Sequence, residues 1–344
     1  MSTQPSAQRG HIPRSLTGIP LPGWRRILWR SIQQFKLDAV TDRAAALTYF
    51  GVLAIFPGVL VLVSILGLVG SSTAQSVLDN LRAVAPSGVN SFLRTVIEQV
   101  QGRAGAASIG AAVGLIIALY SASGYVSAFG RALNGIYGIR EGRPIWLTIP
   151  VRLAVTVALL IMLIASALMV VVTGPVARQV GHALGIGDAA VTAWTIAKWP
   201  VLVILVSIMI SLLYWATPNA KQPGFRWITP GGMLAVVIWL IASGLFGLYV
   251  SFSGSYNRTY GSLATVIIFL VWLWITNIAI LLGAEFNAES ERQRVVQAGV
   301  PEDLEPYVDL RDTRKLDDAE KQRVAAAGRR RQEILDSDSS TPGS

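Results

Sequence analysis

Residues 262–284 have the sequence SLATVIIFLVWLWITNIAILLGA, which contains no Asp, Glu, Lys or Arg. Because an α-helix rises about 1.5 Å per residue, about 20 consecutive apolar residues cross the hydrocarbon core of a bilayer. Five other apolar runs of at least this length are found at 44–70, 106–126, 146–173, 191–217 and 227–252. The sequence therefore predicts an all-α, polytopic membrane protein with six transmembrane helices.

The amino-acid composition supports this class. Hydrophobic residues make up 52% of the chain and charged residues 14%, whereas a soluble domain carries about 25% charged residues. The chain has no Cys and only two His, His11 and His182. The sequence therefore excludes disulfides, a thiolate nucleophile and a His-rich metal centre, and we expect no metal and no cofactor.

The net charge of +9 is unevenly distributed along the chain. Lys and Arg are concentrated before the first apolar run and in the loops after the second and fourth runs, and the intervening loops hold fewer of them per residue of loop. Cytoplasmic loops of membrane proteins carry this excess of basic residues. The pattern predicts that both termini are cytoplasmic. It also accounts for the basicity without a nucleic-acid partner.

The chain ends have a different character from the apolar runs. Residues 1–23 contain four Pro and are predicted to be a disordered tail. From Trp24 onward, apolar residues fall on one helical face and Arg residues elsewhere, which indicates an amphipathic helix. This helix lies either at the membrane interface or against the cytoplasmic face of the bundle. Residues 291–344 are predicted to be a charged cytoplasmic tail, largely disordered, with a helical piece around 319–327.

Two further features concern the membrane domain itself. Residues 71–105 show two helical apolar patterns separated by Pro86-Ser87-Gly88, and they predict a helical hairpin over the external face. This hairpin would be a lid, a surface for a protein partner or a plain cap.

Pro57 lies near the middle of the first run, where a proline frees a carbonyl and kinks a helix. Gly244 and Gly247 indicate a small-residue helix contact.

A polar strip continues the second run toward the cytoplasm. Its residues are spaced three or four apart and share one helical face: Tyr120, Ser123, Ser127, Arg131 and Asn134. We predict that the strip lines a cavity for an anionic group. The alternative is an interfacial Arg accompanied by hydroxyl contacts between helices.

The sixth run and the loop before it supply the other candidate pathway residues. Asn277 and Glu285 share one face of the sixth helix and indicate a polar route toward the cytoplasm, although Leu281 lies between them. The short external loop provides Tyr256, Asn257 and Tyr260 at the opposite mouth.

Motifs for enzyme chemistry are absent from the sequence. It has no GxxxxGK[ST] phosphate-binding loop and no HExxH zinc motif. The two His lie in a tail and a short external loop, which disfavours a Ser–His–Asp arrangement. No catalytic residue is predicted, and we expect a protein that is not an enzyme.

Four ordered motifs resemble those of the YihY/BrkB family of bacterial inner-membrane proteins, and together they cover about residues 30–290. The motifs are DRAAALTY at 42–49 with Phe56-Pro57, YSASG at 120–124 with RALN at 131–134, GSYN at 254–257 with TYGSL at 259–263, and LGAEFNA at 282–288. The resemblance implies a multi-pass protein of the bacterial inner membrane. Members formerly carried the label ribonuclease BN, which is regarded as a misattribution, and the lack of metal-ligand clusters here likewise argues against ribonuclease activity. A transporter-like role toward lipids or other amphiphiles has been suggested for the family.

The leading interpretation is a six-helix membrane domain over 24–290 that acts as a transporter or flippase-like protein for an amphiphilic or anionic solute, without its own ATPase. Membrane lipids are its expected partners. Two alternatives remain open. One is a membrane scaffold that holds protein partners through residues 71–105 or the C-terminal tail, and the other is a lipid-modifying enzyme.

Overall fold

The computed structural model describes residues 21–69, 108–171, 187–222, 228–252 and 263–339. Several predictions fall outside these ranges: the disordered tail up to residue 20, the external hairpin over 71–105, and the outer-mouth residues Tyr256, Asn257 and Tyr260. The described chain contains eight helices and no strand, with one isolated bridge between Ala220 and Leu310. The all-α prediction is confirmed for these residues.

The eight described helices follow the apolar runs and add one helix at each end. They are α1 (Leu21–Leu37), α2 (Val40–Val69), α3 (Ser108–Ile136), α4 (Ile145–Val171), α5 (Asp188–Ala216), α6 (Pro230–Phe252), α7 (Leu263–Gln297) and α8 (Asp318–Ser339).

Four of the described helices are long and apolar enough to cross a membrane. Their candidate spans are Ile145–Val170, Ala189–Ala216, Pro230–Phe252 and Val266–Gln297. Large apolar side chains such as Ile161, Ile196 and Leu245 are more than half exposed on the outside of the bundle. A continuous apolar surface of this kind on a long apolar helix is suited to contact with lipid. The polytopic membrane class is therefore supported. The first two predicted runs form α2 and α3, and the count of six spans stays a prediction.

The helices α2 to α7 form a ring. Each packs against the next in chain order, and α7 packs against α2 to close it. The α6–α7 contact is the tightest, since a Cβ atom on Gly283 would clash with the carbonyl oxygen of Gly231. Only glycine allows this backbone approach. Gly244 and Gly247, which the sequence indicated as a helix contact, have no neighbouring described atom within 4 Å of the point where a Cβ atom would lie.

One end of the ring carries most of the polar structure, and we call it the base. It comprises α1, the loops 137–144 and 217–222, and residues 298–316. Here Arg143 Nη2 donates to the carbonyl of Thr217 at 2.6 Å, and the backbone NH of Lys315 donates to the carbonyl of Gly142 at 2.9 Å.

Helix α1 packs against the end of α7. Trp24 stacks on Phe286 with ring centroids 5.9 Å apart, and Ile27 is 1% exposed. Arg30 Nε donates to Glu289 Oε2 at 2.8 Å. The sequence predicted this helix either at the membrane interface or against the cytoplasmic face of the bundle. The contact with α7 corresponds to packing on the bundle.

The outward face of α1 nevertheless keeps the character of an interfacial helix. Leu28, Trp29 and Ile32 remain exposed beside Arg25 and Lys36. A helix that presents Trp and basic residues together is suited to the boundary between lipid headgroups and acyl chains.

Residues 291–339 are ordered in the structure, which differs from the largely disordered tail that their charge composition predicts. Helix α7 continues to Gln297, and the following segment crosses the base and is fixed by Asn219. The amide Nδ2 of Asn219 donates to the carbonyls of Arg140 (3.1 Å) and Asp312 (2.9 Å), and its Oδ1 accepts from the NH of Asp312 (3.2 Å). Composition cannot reveal this order, because it depends on hydrogen bonds between residues far apart in sequence.

Candidate functional site

A cavity of about 530 Å³ lies inside the ring. All six ring helices line it, and along α4 it extends from Thr156 to Ala167, which corresponds to about 16 Å of helix. Since the lining positions lie away from the helix ends that form the base, the cavity lies within the apolar part of the bundle.

The cavity walls are almost entirely apolar. Representative lining residues are Ala122, Val126, Leu159, Ile210, Val236 and Leu273. The polar side chains along the wall include Tyr125, Thr156, Thr276 and Asn277. Small-molecule sites of about 300–1,000 Å³ combine mostly apolar walls with a few placed polar groups. The cavity therefore fits an apolar chain better than a charged group.

Asn277 is the deepest polar residue of the cavity wall, with 1% of its surface exposed. Its Oδ1 accepts from the Tyr125 hydroxyl at 2.9 Å, and its Nδ2 donates to Thr48 Oγ1 at 3.1 Å. This inner triad of Thr48, Tyr125 and Asn277 joins α2, α3 and α7. Both ends of the buried Asn277 amide thus have a hydrogen-bond partner in apolar surroundings. Removing one partner would leave an unpaired polar group and lower the stability of the fold.

A floor of large apolar side chains separates the cavity from the base. It consists of Leu47, Phe129, Leu133 and Leu281, each at most 1% exposed. Phe129 also stacks between Tyr125 and Tyr214, with ring centroids 6.2 Å apart on both sides. The described conformation is therefore closed toward the base.

The predicted polar strip of α3 faces away from the cavity. Arg131 lies nine residues after Ala122, which is two and a half helical turns and thus the opposite face. Arg131 is exposed, its Nη1 donates to Ser127 Oγ at 2.9 Å, and its guanidinium lies 5.8 Å from the Phe50 ring centroid. Tyr120 is 57% exposed, and the Arg152 guanidinium lies 5.0 Å from its ring centroid.

The remaining residues of the strip take part in local structure. Ser123 is fully buried, and its hydroxyl donates to the Tyr120 carbonyl of its own helix. Asn134 lies in the base, where its Nδ2 donates to Glu141 Oε2 at 3.1 Å and its Oδ1 accepts from the NH of Asn219 at 2.7 Å. The strip is thus divided between the outer surface of the ring, a buried position at Ser123 and the base.

Glu141 is held ionised by its neighbours in the base. Burial acts to raise the pKa of its carboxyl group, but hydrogen bonds and charge from Arg143, together with the Asn134 amide, lower the pKa below its ordinary value. Arg143 Nε and Nη2 both donate to this carboxylate at 2.7 Å. The bidentate pair fixes the loop after α3.

Glu285 lies below the floor, at the joint between α1 and α2. It is 0% exposed, and neither carboxylate oxygen has a hydrogen-bond donor among the described residues. The carboxyl group of Asp38 lies within hydrogen-bonding reach of it. Leu281, also 0% exposed, separates Glu285 from Asn277, so no continuous polar route joins them in this conformation.

The structure brings some of the predicted pathway residues to the cavity and leaves others away from it. Asn277 lines the cavity, and Glu285 lies close beneath it. Pro57 falls within α2, and its role as a kink stays a prediction. Tyr125 and Thr48 were not predicted as site residues. Thr48 lies in the DRAAALTY motif, and Tyr125 directly follows the YSASG motif. Within the described ranges, no group of three or more His, Cys, Asp or Glu is arranged to hold a metal ion.

Comparisons with known proteins place these residues in a family. A family model described as virulence factor BrkB matches residues 31–305. The chain is 29% identical over 255 residues to YfkH of Bacillus subtilis, which is named a ribonuclease-like protein, and the match covers 74% of this chain and 91% of that protein. No solved structure matches the chain.

Other relatives carry only the name UPF0761 membrane protein. One from Alkalilimnicola ehrlichii is 29% identical, covering 74% of this chain and 56% of the relative. Another from Pseudomonas paraeruginosa is 30% identical, covering 73% of this chain and 59% of the relative. The chain thus spans little more than half the length of these two proteins. Neither the family description nor the UPF0761 name is that of an enzyme.

Proposed function

The chain belongs to the virulence factor BrkB family, and from this premise we propose that it is a transporter or flippase-like protein for an amphiphilic solute, such as a lipid. It acts in the bacterial inner membrane and uses no ATPase of its own, in keeping with the lack of a phosphate-binding loop. The single observation that carries the proposal is the cavity of about 530 Å³ inside the ring.

The nature of the cavity wall favours a solute with an apolar chain. A scaffold gains nothing from a large apolar cavity between its helices, because helices that pack without such a cavity make more dispersion contacts. A wholly anionic solute would find no cationic side chain among the described lining residues. An acyl chain would fill the cavity without desolvating a charge. Arg131 lies on the outward face of α3, so it would make a charge-assisted contact with the phosphate of a lipid outside the cavity and not of one inside it.

Transport through this cavity requires that its floor opens. The floor side chains are held by packing alone. The inner triad and the hydrogen bond from the Tyr214 hydroxyl to the Ile280 carbonyl connect α7 to the helices around it. A shift of α7 relative to α2 and α3 would therefore open the cavity toward the base.

The orientation that we propose puts the base in the cytoplasm, with six spans and both termini inside. Exposed basic residues gather at the base: Arg25, Arg26, Arg140, Lys221 and Arg314. This follows the distribution of Lys and Arg expected of cytoplasmic loops.

Single cysteines test the orientation, since the chain has no native Cys to interfere. We expect cysteines replacing Gln4 and Ser340 to react with a membrane-impermeant maleimide only after permeabilisation of spheroplasts. Cysteines replacing Ser87, His182 and Asn257 should react from outside without permeabilisation. Opposite accessibility of the two chain ends would contradict the six-span arrangement.

Photolabelling tests whether a lipid chain enters the cavity. Ile210 and Val236 line it but are only 5% and 4% exposed, so bulk lipid reaches them only through the cavity. With phospholipid that carries a photoreactive acyl chain, we expect label on these residues in reconstituted protein. Leu47, in the floor, serves as the control that stays unlabelled. Label confined to outward-facing residues would reject an acyl-chain site and favour the scaffold alternative.

A further inference from the structure

A pair of carboxyl groups, Glu285 fully buried and Asp38 partly buried, lies outside the cavity at the joint between α1 and α2. Asp38 is the residue after α1 that caps its last turn, its NH donating to the Gln34 carbonyl at 2.8 Å. Ala39 follows with φ 47°, a left-handed conformation that is uncommon for a residue other than glycine. The turn directs the Asp38 side chain toward Glu285 on α7.

Three oxygen atoms of this pair are unsatisfied. Asp38 Oδ2 and both carboxylate oxygens of Glu285 are buried and have no donor among the described residues. The one cation in range of the pair among those residues, Arg43, reaches Asp38 Oδ1 only at 3.7 Å. Its guanidinium is held elsewhere, with Nη1 donating to the Ala132 carbonyl at 3.2 Å and the group packed on Gly135.

The charges that face the pair leave it with a surplus of negative charge. On α7, Glu289 adds a third carboxylate one turn after Glu285, and α1 neutralises it with Arg30 at 2.8 Å. Arg30 is also shared with Glu302 at 3.0 Å. From the α3 side, the Tyr137 hydroxyl lies within range of the charge on Glu285. Within the described part of the chain, Arg43 thus remains as the single counter-charge for two carboxylates.

We propose that Asp38 and Glu285 form a proton-binding site, in which one proton shared between the two carboxyl groups fastens the α1–α2 joint to α7. Ionisation of both adjacent carboxyl groups is unfavourable where burial shields them from water, so one of them takes up a proton. That proton supplies a donor between two of the three unsatisfied oxygens. When it leaves to water at the base, the two charges repel and the joint separates from α7.

The environment of Asp38 supports this assignment. Burial raises the pKa of its carboxyl group, against the opposing effects of the Arg43 charge and of the neighbouring Glu285 and Gln34 side chains. A raised pKa in the folded state means that the stabilisation is complete below the ordinary value near 3.8 and is lost as the pH rises through the folded-state value. The joint should therefore loosen as the pH rises.

Cysteine labelling at the joint measures this loosening. Val40 is 0% exposed and directly follows the turn, so Val40→Cys reports its opening to a maleimide in reconstituted protein. At each pH, we divide the labelling rate of Val40→Cys by the rate of the same cysteine in a Glu285→Gln background. We expect this ratio to rise by up to about tenfold per pH unit. The ratio cancels the pH dependence of the thiol itself. Asp38→Asn should abolish the rise in the same way.

Controls separate proton binding from simple loss of a charge. Glu302→Gln makes the same chemical change on a half-exposed partner of Arg30 and should leave the pH profile unchanged. If Val40→Cys does not fold, Ala44→Cys reports the same joint, since Ala44 is also 0% exposed. Infrared difference spectra should show a protonated carboxyl band that Glu285→Gln removes.

Two results would overturn the proposal. One is an identical pH profile with and without Glu285→Gln. The other is protection that depends on sodium at fixed pH, which would assign the oxygens to a cation. Neither readout involves solute movement, so this site can fail while the transport proposal stands, and the reverse also holds.

Discussion

Replacing Asn219 with Ala should release the C-terminal segment from the base. The Asn219 side chain is fully buried, and its three hydrogen bonds reach Arg140 on one loop and Asp312 on the segment that follows α7. Its removal leaves partly buried backbone groups without their partners, and a group of this kind costs about 1–3 kcal/mol when it is shielded from water. We expect the docking of residues 298–316 to lose about 2–4 kcal/mol.

Hydrogen exchange detects this release directly. The NH groups of Arg311 and Lys315 donate to the carbonyls of Asn219 and Gly142, at 2.6 and 2.9 Å, and should be protected in the wild-type protein. In Asn219→Ala their exchange should accelerate by about 30-fold or more, since about 1.4 kcal/mol corresponds to tenfold. Gln332→Ala, which removes an amide whose bond is to Asp336 within α8, should have no effect. Unchanged protection in Asn219→Ala would show that the segment is held by other contacts.

The helices of the ring were the most predictable part of the fold. Long apolar runs determine them, with Arg152 and Lys198 as single charges inside the third and fourth runs, and the sixth run corresponds to the first part of α7. The end of α7 was missed, because the polar residues from Glu285 to Gln297 do not break a helix and pack on α1 and the base. Apolar character marks where a helix is surrounded by lipid, not where its hydrogen bonding stops.

The candidate site was less predictable, and the α3 strip shows why. A spacing of three or four residues places Tyr120, Ser127 and Arg131 on one face, but it does not say which neighbour that face meets. In the ring, Ala122 and Val126 face inward instead. The cavity lining also carries no polar pattern to detect, since nearly all of it is apolar.

Contacts between distant residues were beyond sequence reasoning of this kind. Asp38 approaches Glu285 only because α1 folds back along α7, and Asn219 meets Asp312 only because the chain crosses the base. Each contact depends on a few hydrogen bonds or charges rather than on a periodic pattern. Of these two partners, the sequence identified Glu285 as a candidate site residue and did not identify Asp38.

Filling the cavity should stop transport without unfolding the protein. Ala122 is 3% exposed and lines the cavity on α3. In Ala122→Phe, the added ring has space to occupy inside the cavity of about 530 Å³, so the cost of overpacking that a close-packed core would impose is largely avoided. The same ring takes the place that an acyl chain would need.

An exposed alanine provides the matched control. Ala197 lies on the outer face of α5, away from the residues that line the cavity. Ala197→Phe makes the same chemical change toward lipid, where an additional apolar ring is tolerated. Both variants should be purified with wild-type yield and melting temperature, which confirms that a difference in flux does not arise from unfolding.

The most direct measurement is lipid translocation in vesicles reconstituted with the full chain, with fluorescent phospholipids of different headgroups as probes. We expect wild-type protein and Ala197→Phe to move at least one of these lipids across the bilayer at the same rate. We expect Ala122→Phe to reduce that rate at least about tenfold, equivalent to about 1.4 kcal/mol or more on the barrier. Equal translocation by Ala122→Phe and wild type, or none by either above protein-free vesicles, would contradict transport of an amphiphile through the central cavity.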